Sequence, residues 1–246
     1  MHSTTPKLTL ADVERVLPLK SWWAMVAVLP LARRLTLLVV NNTRISPNTI
    51  TVTSLLLWLV AAGAFVLASR KWLIAGAVAF YFAYLLDCVD GAVARLRRQS
   101  SEFGRYLDHM GDLVGGLLAV VALSFGQDML FTALVAAMLI SHIAESYISY
   151  LTSTILSAHK VDASQSGIFN AGIMRWYSHY RDFFHSRNIK SFFSFPDYEA
   201  VIFFVFPLIG MPVLGLKIGF CMVIVVTLYT VLSSFATIHT GESKFP

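Results

Sequence analysis

Four aspartates carry the chemistry that this chain can do: Asp87, Asp90, Asp108 and Asp112, each at the edge of an apolar segment. A charged side chain in or beside a membrane-spanning helix costs roughly 2.5 to 3.5 kcal/mol on insertion scales unless something pairs with it. Four of them together call for cations. Asp87, Asp90, Gly91 and Ala94 fall at i, i+3, i+4 and i+7, which is one face of a helix, and Asp108 and Asp112 share a face at i, i+4. If the chain reverses between Arg95 and Gly104, the two helices form an antiparallel hairpin. Asp87 then stands level with Asp112, and Asp90 with Asp108. Carboxylate oxygens at one depth suit hard divalent ions such as Mg²⁺, Mn²⁺ or Ca²⁺, and His109 is the one nearby competing ligand. The plain alternative is that these acids cap helix ends or sit solvated at the surface, but capping needs neither four acids nor two small residues on their face.

The elements that must position them are membrane helices. Of the 246 residues, 57% are hydrophobic and 13% charged, outside the range of soluble domains. A chain of this length holds about six spans with short loops. The expected fold is all-α and polytopic, with an N-terminal interfacial segment over 1–45 and a six-helix membrane domain over 46–246. Cys88 and Cys221 both lie in apolar segments, so no disulfide framework or thiolate metal site is indicated. No short apolar core precedes a small-residue cleavage site, so no removable signal peptide is expected.

Residues 8–20 carry a modest amphipathic pattern and are expected to lie on the membrane. The run from Trp22 to Val40 is broken by Pro30 and by Arg33 and Arg34. It reads as an interfacial helix whose guanidinium groups reach the headgroups, with a full span as the alternative. Ser46 is a candidate N-cap with Pro47 at the first helical position, opening a span over 50–68. Further spans are expected over 72–87, 113–125, 129–151, 199–214, interrupted by Pro207 and Pro212, and 216–238. His142 and Glu145, at i, i+3 in the fourth, either satisfy one another or contribute to a binding pocket. The stretch 152–198 interleaves basic residues, Arg175 among them, with histidines and aromatics, a composition that rests on anionic headgroups. With the N-terminus, the signature loop from Arg95 to Arg105, this stretch and the tail on one side, that side holds sixteen of the nineteen basic residues. That bias places it, both termini and the acid cluster in the cytoplasm, with the cell (inner) membrane as the expected location. No nucleic-acid partner is expected.

The run from Asp87 to Asp112, D-x2-D-G-x2-A-R-x8-G-x3-D-x3-D, resembles the signature of the CDP-alcohol phosphatidyltransferase family at every fixed position. The resemblance implies a membrane-embedded enzyme and a homodimer. It would move a phosphatidyl group from a CDP-linked lipid, such as CDP-diacylglycerol, to a polar alcohol with release of CMP. It implies Mg²⁺ or Mn²⁺, as two ions, on Asp87, Asp90, Asp108 and Asp112, with Asp112 as general base. It assigns Gly91, Ala94, Arg95 and Gly104 to the nucleotide side, and the Pro47-Asn48-Thr49-Ile50-Thr51 segment adds Asn48 and Thr51. Arg105, His142, Glu145 and Arg175 are the candidates on the acceptor side.

The acceptor stays open at this level. Members that use phosphorylated acceptors tend to carry a basic residue after the last aspartate, where this chain has Leu113. Ser101-Glu102-Phe103-Gly104 and Asp112-Leu113-Val114 look more like the phosphatidylserine synthase branch, yet Gly115-Gly116 departs from it. Two alternatives stand beside this reading. One is a transferase that moves a CDP-linked amino-alcohol head group to a diacylglycerol-type acceptor. The other, from a different class, is a divalent cation transporter, which predicts acids spread through membrane depth.

Overall fold

The computed structural model describes residues 7–18, 20–159, 183–184, 186–187, 189–190 and 192–242. It is built of helices: α1 (Leu10–Arg15), a π-helical turn Ala24–Val28 running into α2 (Leu29–Asn42), α3 (Pro47–Val66), α4 (Arg70–Leu96), α5 (Glu102–Gly126), α6 (Ala133–His159), α7 (Phe195–Ala200), a second π-helical turn Val201–Val205, α8 (Phe206–Ile209) and α9 (Pro212–Glu242). Among the described residues six helices are long and apolar enough to cross a membrane: Ala24–Asn42, Pro47–Val66, Arg70–Leu96, Glu102–Gly126, Ala133–Ile155 and Pro212–Phe235. The expected number is met with one different member. Residues 199–214 do not form one helix, and Ala24–Asn42, expected at the interface, has the length and composition of a span.

Local chemistry accounts for both departures. Ser194 and Asp197 form a reciprocal capping box that starts α7 four residues before the expected span, with Pro196 in the first turn. The segment then widens into the π turn, resumes as α8 and stops at Gly210, whose φ of +79° is the left-handed conformation that ends helices. Arg70 Nη1, at the start of α4, donates to the Pro207 carbonyl at 3.0 Å. The broken segment therefore ends beside the end of α4 remote from the signature. Ala24–Asn42 packs against the signature half of α4. Val28, Leu29, Ala32 and Val39 share a buried cluster with Leu85, Cys88, Val89 and Val93, and Tyr81 donates to the Ala27 carbonyl.

α4 and α5 do not end where the signature begins. Both run through it as continuous helices, so the acids lie within helices rather than at their ends. The two helices reverse direction as the hairpin predicts, yet they barely touch: α3 packs closely against both and holds them apart. Small residues permit this. Leu55 of α3 lies over Gly111, Trp58 lies over Gly115, and Ser54 donates to the Ala83 carbonyl at 2.8 Å. The second buried cluster gathers Trp58, Phe65, Phe80 and Phe203 with Ala119, Leu123, Met138, Tyr198, Ile202 and Leu216. Trp58, Phe80 and Phe203 meet with ring centroids 5.2 to 5.9 Å apart, a spacing favourable for aromatic pairs. Along α4 and α5 this core lies on the side of the aspartates away from the loop that joins the two helices.

Candidate metal and nucleotide site

α4 presents Asp87 and Asp90, and α5 presents Asp108 and Asp112. One carboxylate oxygen from each of Asp87, Asp90 and Asp108 lies within 4.8 Å of the other two. Asp112 stands outside this three-way group but close enough for its charge to act on Asp87. α4 and α5 pack chiefly against α3, and their aspartate side chains nonetheless converge. Three hard oxygen ligands at such a spacing fit a divalent ion of the Mg²⁺ or Mn²⁺ kind.

Asp90 is the most sheltered of the three, 4% exposed, and it is held from outside the signature. Thr51 Oγ1 on α3 lies 2.5 Å from Asp90 Oδ2 and 3.2 Å from the Pro47 carbonyl. A hydroxyl has one proton, and the carboxylate is the nearer and more strongly accepting partner. Thr51 is thus brought to the site as expected, but its contact is to a candidate metal ligand.

Beside the carboxylates opens a cleft lined by Pro47, Asn48, Thr51, Asp90, Gly91, Ala94, Arg95, Gln99, Ser100, Ser101, Gly104, Arg105 and Asp108. Every residue that the resemblance assigns to the nucleotide side lines it. Three helix ends build its walls. α3 starts at Ser46, whose side chain accepts from Thr49 N at 3.2 Å, as its reading as an N-cap predicts. α5 starts at Ser101, which accepts from Gly104 N at 3.0 Å. α4 ends with Gln99 N bonded to the Ala94 carbonyl at 2.8 Å, around Arg98 at a φ of +54°, a Schellman closure made without glycine. Gly91 leaves room for Arg95, whose guanidinium folds back so that a Cβ on Gly91 would meet its Nη1 at 3.2 Å. A Cβ on Gly104 would likewise meet Ser101 Oγ at 3.1 Å. Two helix N-termini beside an exposed guanidinium form an anion-binding rim.

The candidates for the acceptor side separate. Arg105 lines the same cleft and pairs with Glu102 on the exposed first turn of α5. His142 and Glu145 do not line it. Both are buried in α6, where Glu145 Oε1 accepts from Ser149 at 3.1 Å and Thr230 at 3.3 Å. They are not hydrogen-bonded to one another: His142 pairs with Tyr198 and Glu145 with Ser149 and Thr230. Arg175 lies outside the described residues.

Two features escaped the sequence. Tyr198 OH and His142 Nδ1 are hydrogen-bonded in the interior, and His142 Nε2 and Glu199 Oε1 are buried with no hydrogen-bond partner among the described residues. Both point at Gly116, one helical turn after Asp112. A Cβ there would meet Glu199 Oε1 at 2.7 Å and His142 Nε2 at 2.8 Å. The second feature is Lys20, which a backbone pairing draws in from the N-terminal segment: Lys190 N donates to the Lys20 carbonyl at 2.8 Å. Burial holds the Lys20 ammonium below its ordinary pKa, with Cys88, Arg95, Asp87 and Lys190 as its charged or titratable neighbours. In the sequence it is one basic residue among several, with no periodicity to mark it.

Residues 44–233 match the family model described as CDP-alcohol phosphatidyltransferase. The chain is 36% identical over 95 residues to the CDP-diacylglycerol–inositol 3-phosphatidyltransferase 1 of Arabidopsis thaliana, covering 37% of this chain and 41% of that one. It is 35% identical over 117 residues to the phosphatidylinositol phosphate synthase of Mycobacterium marinum, covering 45% of each. The matched stretch thus spans less than half the length of either relative. Among solved structures, a Mycobacterium tuberculosis phosphatidylinositol phosphate synthase in complex with manganese and citrate has a TM-score of 0.45 and 20% identity, covering 86% of this chain and 87% of that one.

Proposed function

Because the chain belongs to the CDP-alcohol phosphatidyltransferase family, we propose that it transfers a phosphatidyl group from CDP-diacylglycerol to the hydroxyl of a polar alcohol, releasing CMP. Its six apolar helices and that membership make it a multi-pass integral membrane protein. The observation that carries the proposal is the cluster of the Asp87, Asp90 and Asp108 carboxylates, of which Asp90 and Asp108 line a cleft rimmed by two helix N-termini and Arg95.

Asp87, Asp90 and Asp108, together with Asp112, would hold two divalent ions, which would supply neutralisation of charge on the pyrophosphate. The chain's own residues do the rest. Asn48, Thr51, Gly91, Ala94 and Gly104 admit and orient the nucleotide, and Arg95 meets a phosphate in bidentate fashion. Asp112, next to the ligand group but outside it, takes the proton of the acceptor hydroxyl as the oxygen attacks the phosphorus and CMP departs. Holding acceptor and donor in line is the larger part of the catalysis.

The two relatives named for inositol products favour inositol or its phosphate as acceptor. Arg105 is available in the cleft for such a phosphate once released from Glu102. On the same reading residues 1–45 are an accessory segment to the catalytic domain 46–246. The site and both termini face the cytoplasm of the cell membrane, and the chain works as a homodimer. Family membership leaves the cation-transporter alternative without support.

Purified protein in lipid nanodiscs, given CDP-diacylglycerol and Mn²⁺, should release CMP when inositol or inositol phosphate is added, and less with serine or glycerol phosphate. The reverse order would move the acceptor to the serine branch, and no release with any acceptor would refute the transferase reading. Asp112→Asn and Asp87→Ala should each lose at least 100-fold in rate. Persisting activity in either would overturn the role given to that residue.

A further inference from the structure

The residue that caps the C-terminus of α4 carries a side chain that touches neither the cleft nor the carboxylates yet joins two walls of the site. Arg97 Nη2 donates to the carbonyls of Val39 at 3.0 Å and Thr43 at 2.9 Å, and its Nη1 donates to the carbonyl of Ile45. Val39 belongs to the last turn of α2, where the helix dipole favours a cation. Thr43 and Ile45 belong to the linker that leads into α3, and that linker is already coiled on itself. Thr43 N and Oγ1 both donate to the Val39 carbonyl, at 3.1 and 2.8 Å. One planar guanidinium therefore gathers three carbonyls spread over seven residues, a spread that its two-pronged fork of donors spans better than the single nitrogen of a lysine ammonium.

The linker delivers the chain directly into the site. Ser46 caps α3, Pro47 and Asn48 line the cleft, and Thr51, one turn on, donates to Asp90. The opposite wall, Gly91, Ala94 and Arg95, is on the same helix as Arg97. We infer that Arg97 is a positioning residue for the nucleotide donor: it fixes the α3 entry wall against the α4 wall and so sets the width of the cleft. The inference rests on the transferase reading for its ligand and on the three carbonyl contacts for its geometry. Removing the guanidinium frees residues 43–46 and widens the nucleotide side of the site. The acids stay on the helical backbones of α4 and α5, and Thr51, one turn into α3 and beyond the freed residues, keeps its contact with Asp90.

The test compares Arg97→Ala and Arg97→Lys with Arg44→Ala. The last removes the same charge from the same linker, where Arg44 is exposed. Calorimetric binding of CDP in the presence of Mn²⁺ is measured alongside KM for CDP-diacylglycerol and kcat. Arg97→Ala should weaken CDP binding and raise KM about 10-fold, with kcat within about threefold of wild type. Arg97→Lys should fall between, and Arg44→Ala should match wild type. Unchanged CDP binding in Arg97→Ala overturns the inference, as does an equal loss for Arg44→Ala, which would make the effect one of charge alone. If Arg97→Ala does not fold, Arg97→Lys decides: CDP binding at the wild-type level overturns the proposal and a weakening of a few-fold supports it. Failure of the transferase reading shows separately, as wild-type protein that binds CDP and releases no CMP; CDP binding still scores Arg97. Wild-type protein that does not bind CDP overturns both.

Discussion

Thr51→Val tests how the site is held. The substitution keeps the β-branched shape and removes one hydroxyl, so α3 packing is retained while Asp90 Oδ2 loses the donor now 2.5 Å away. Hydrogen bonds to charged groups are worth about 1.5–3 kcal/mol. Asp90 is 4% exposed and Thr51 8% exposed, so water is poorly placed to replace the lost proton. At about 1.4 kcal/mol per decade, loss of that bond weakens metal binding by roughly 10- to 100-fold, the range seen when outer-shell partners of metal ligands are removed. The assay is CMP release against free Mn²⁺, paired with direct Mn²⁺ binding followed by the paramagnetic resonance signal of the free aqua ion, which does not depend on turnover. Half-saturation should move to roughly 10- to 100-fold higher Mn²⁺, activity should largely recover at high Mn²⁺, and Thr51→Ser should restore the wild-type value. An unchanged Mn²⁺ requirement in Thr51→Val would refute the claim that α3 orients the Asp90 carboxylate.

Gly116→Ala should destabilise the protein by about 1–3 kcal/mol, the usual cost of overpacking, because His142 and Glu199 are buried and held by neighbours. It should also lower activity by shifting α5 at Asp112; an unaltered melting temperature and rate would contradict this. Added Mn²⁺ at about 100 times its Kd should raise stability by about 2.7 kcal/mol through binding to the folded state alone. Chelation should reverse the gain and Asp87→Asn should abolish it. A melting curve indifferent to Mn²⁺ would remove the metal from the site.

The catalytic spacing was legible because helix periodicity is local: once Asp87, Asp90, Gly91 and Ala94 share a face, no tertiary information is needed to know it. The N-cap at Ser46 was equally local. The separation of α4 and α5 was not. Gly111 and Gly115 advertise close contact, but only the folded chain tells that the partner is α3, through Leu55 and Trp58. Pro207 and Pro212 announced an interruption, and the Ser194–Asp197 capping signal was present to move the start of that segment back to Phe195. Read as the first residue of a span, Glu199 gave no sign of its convergence with His142, a meeting of residues far apart in the chain. Arg97 was hidden for a similar reason. Within a run of basic residues after α4 it is indistinguishable from Arg98, and only its carbonyl partners, more than fifty residues away, set it apart.

The meeting of three helices over Gly116 also constrains how this sequence can change. A side chain at 116 is excluded by His142 and Glu199 together, and His142 is in turn joined to Tyr198. Replacing only one of the pair does not make room, since the other still occupies the space. In descendants of this chain the four positions should therefore move as a set: wherever glycine is lost at 116, smaller or apolar residues should appear at both 142 and 199, and the tyrosine at 198 should lose its partner. A buried polar knot one turn beyond Asp112 would thus be recorded as joint substitution across α5, α6 and α7, visible in sequences alone.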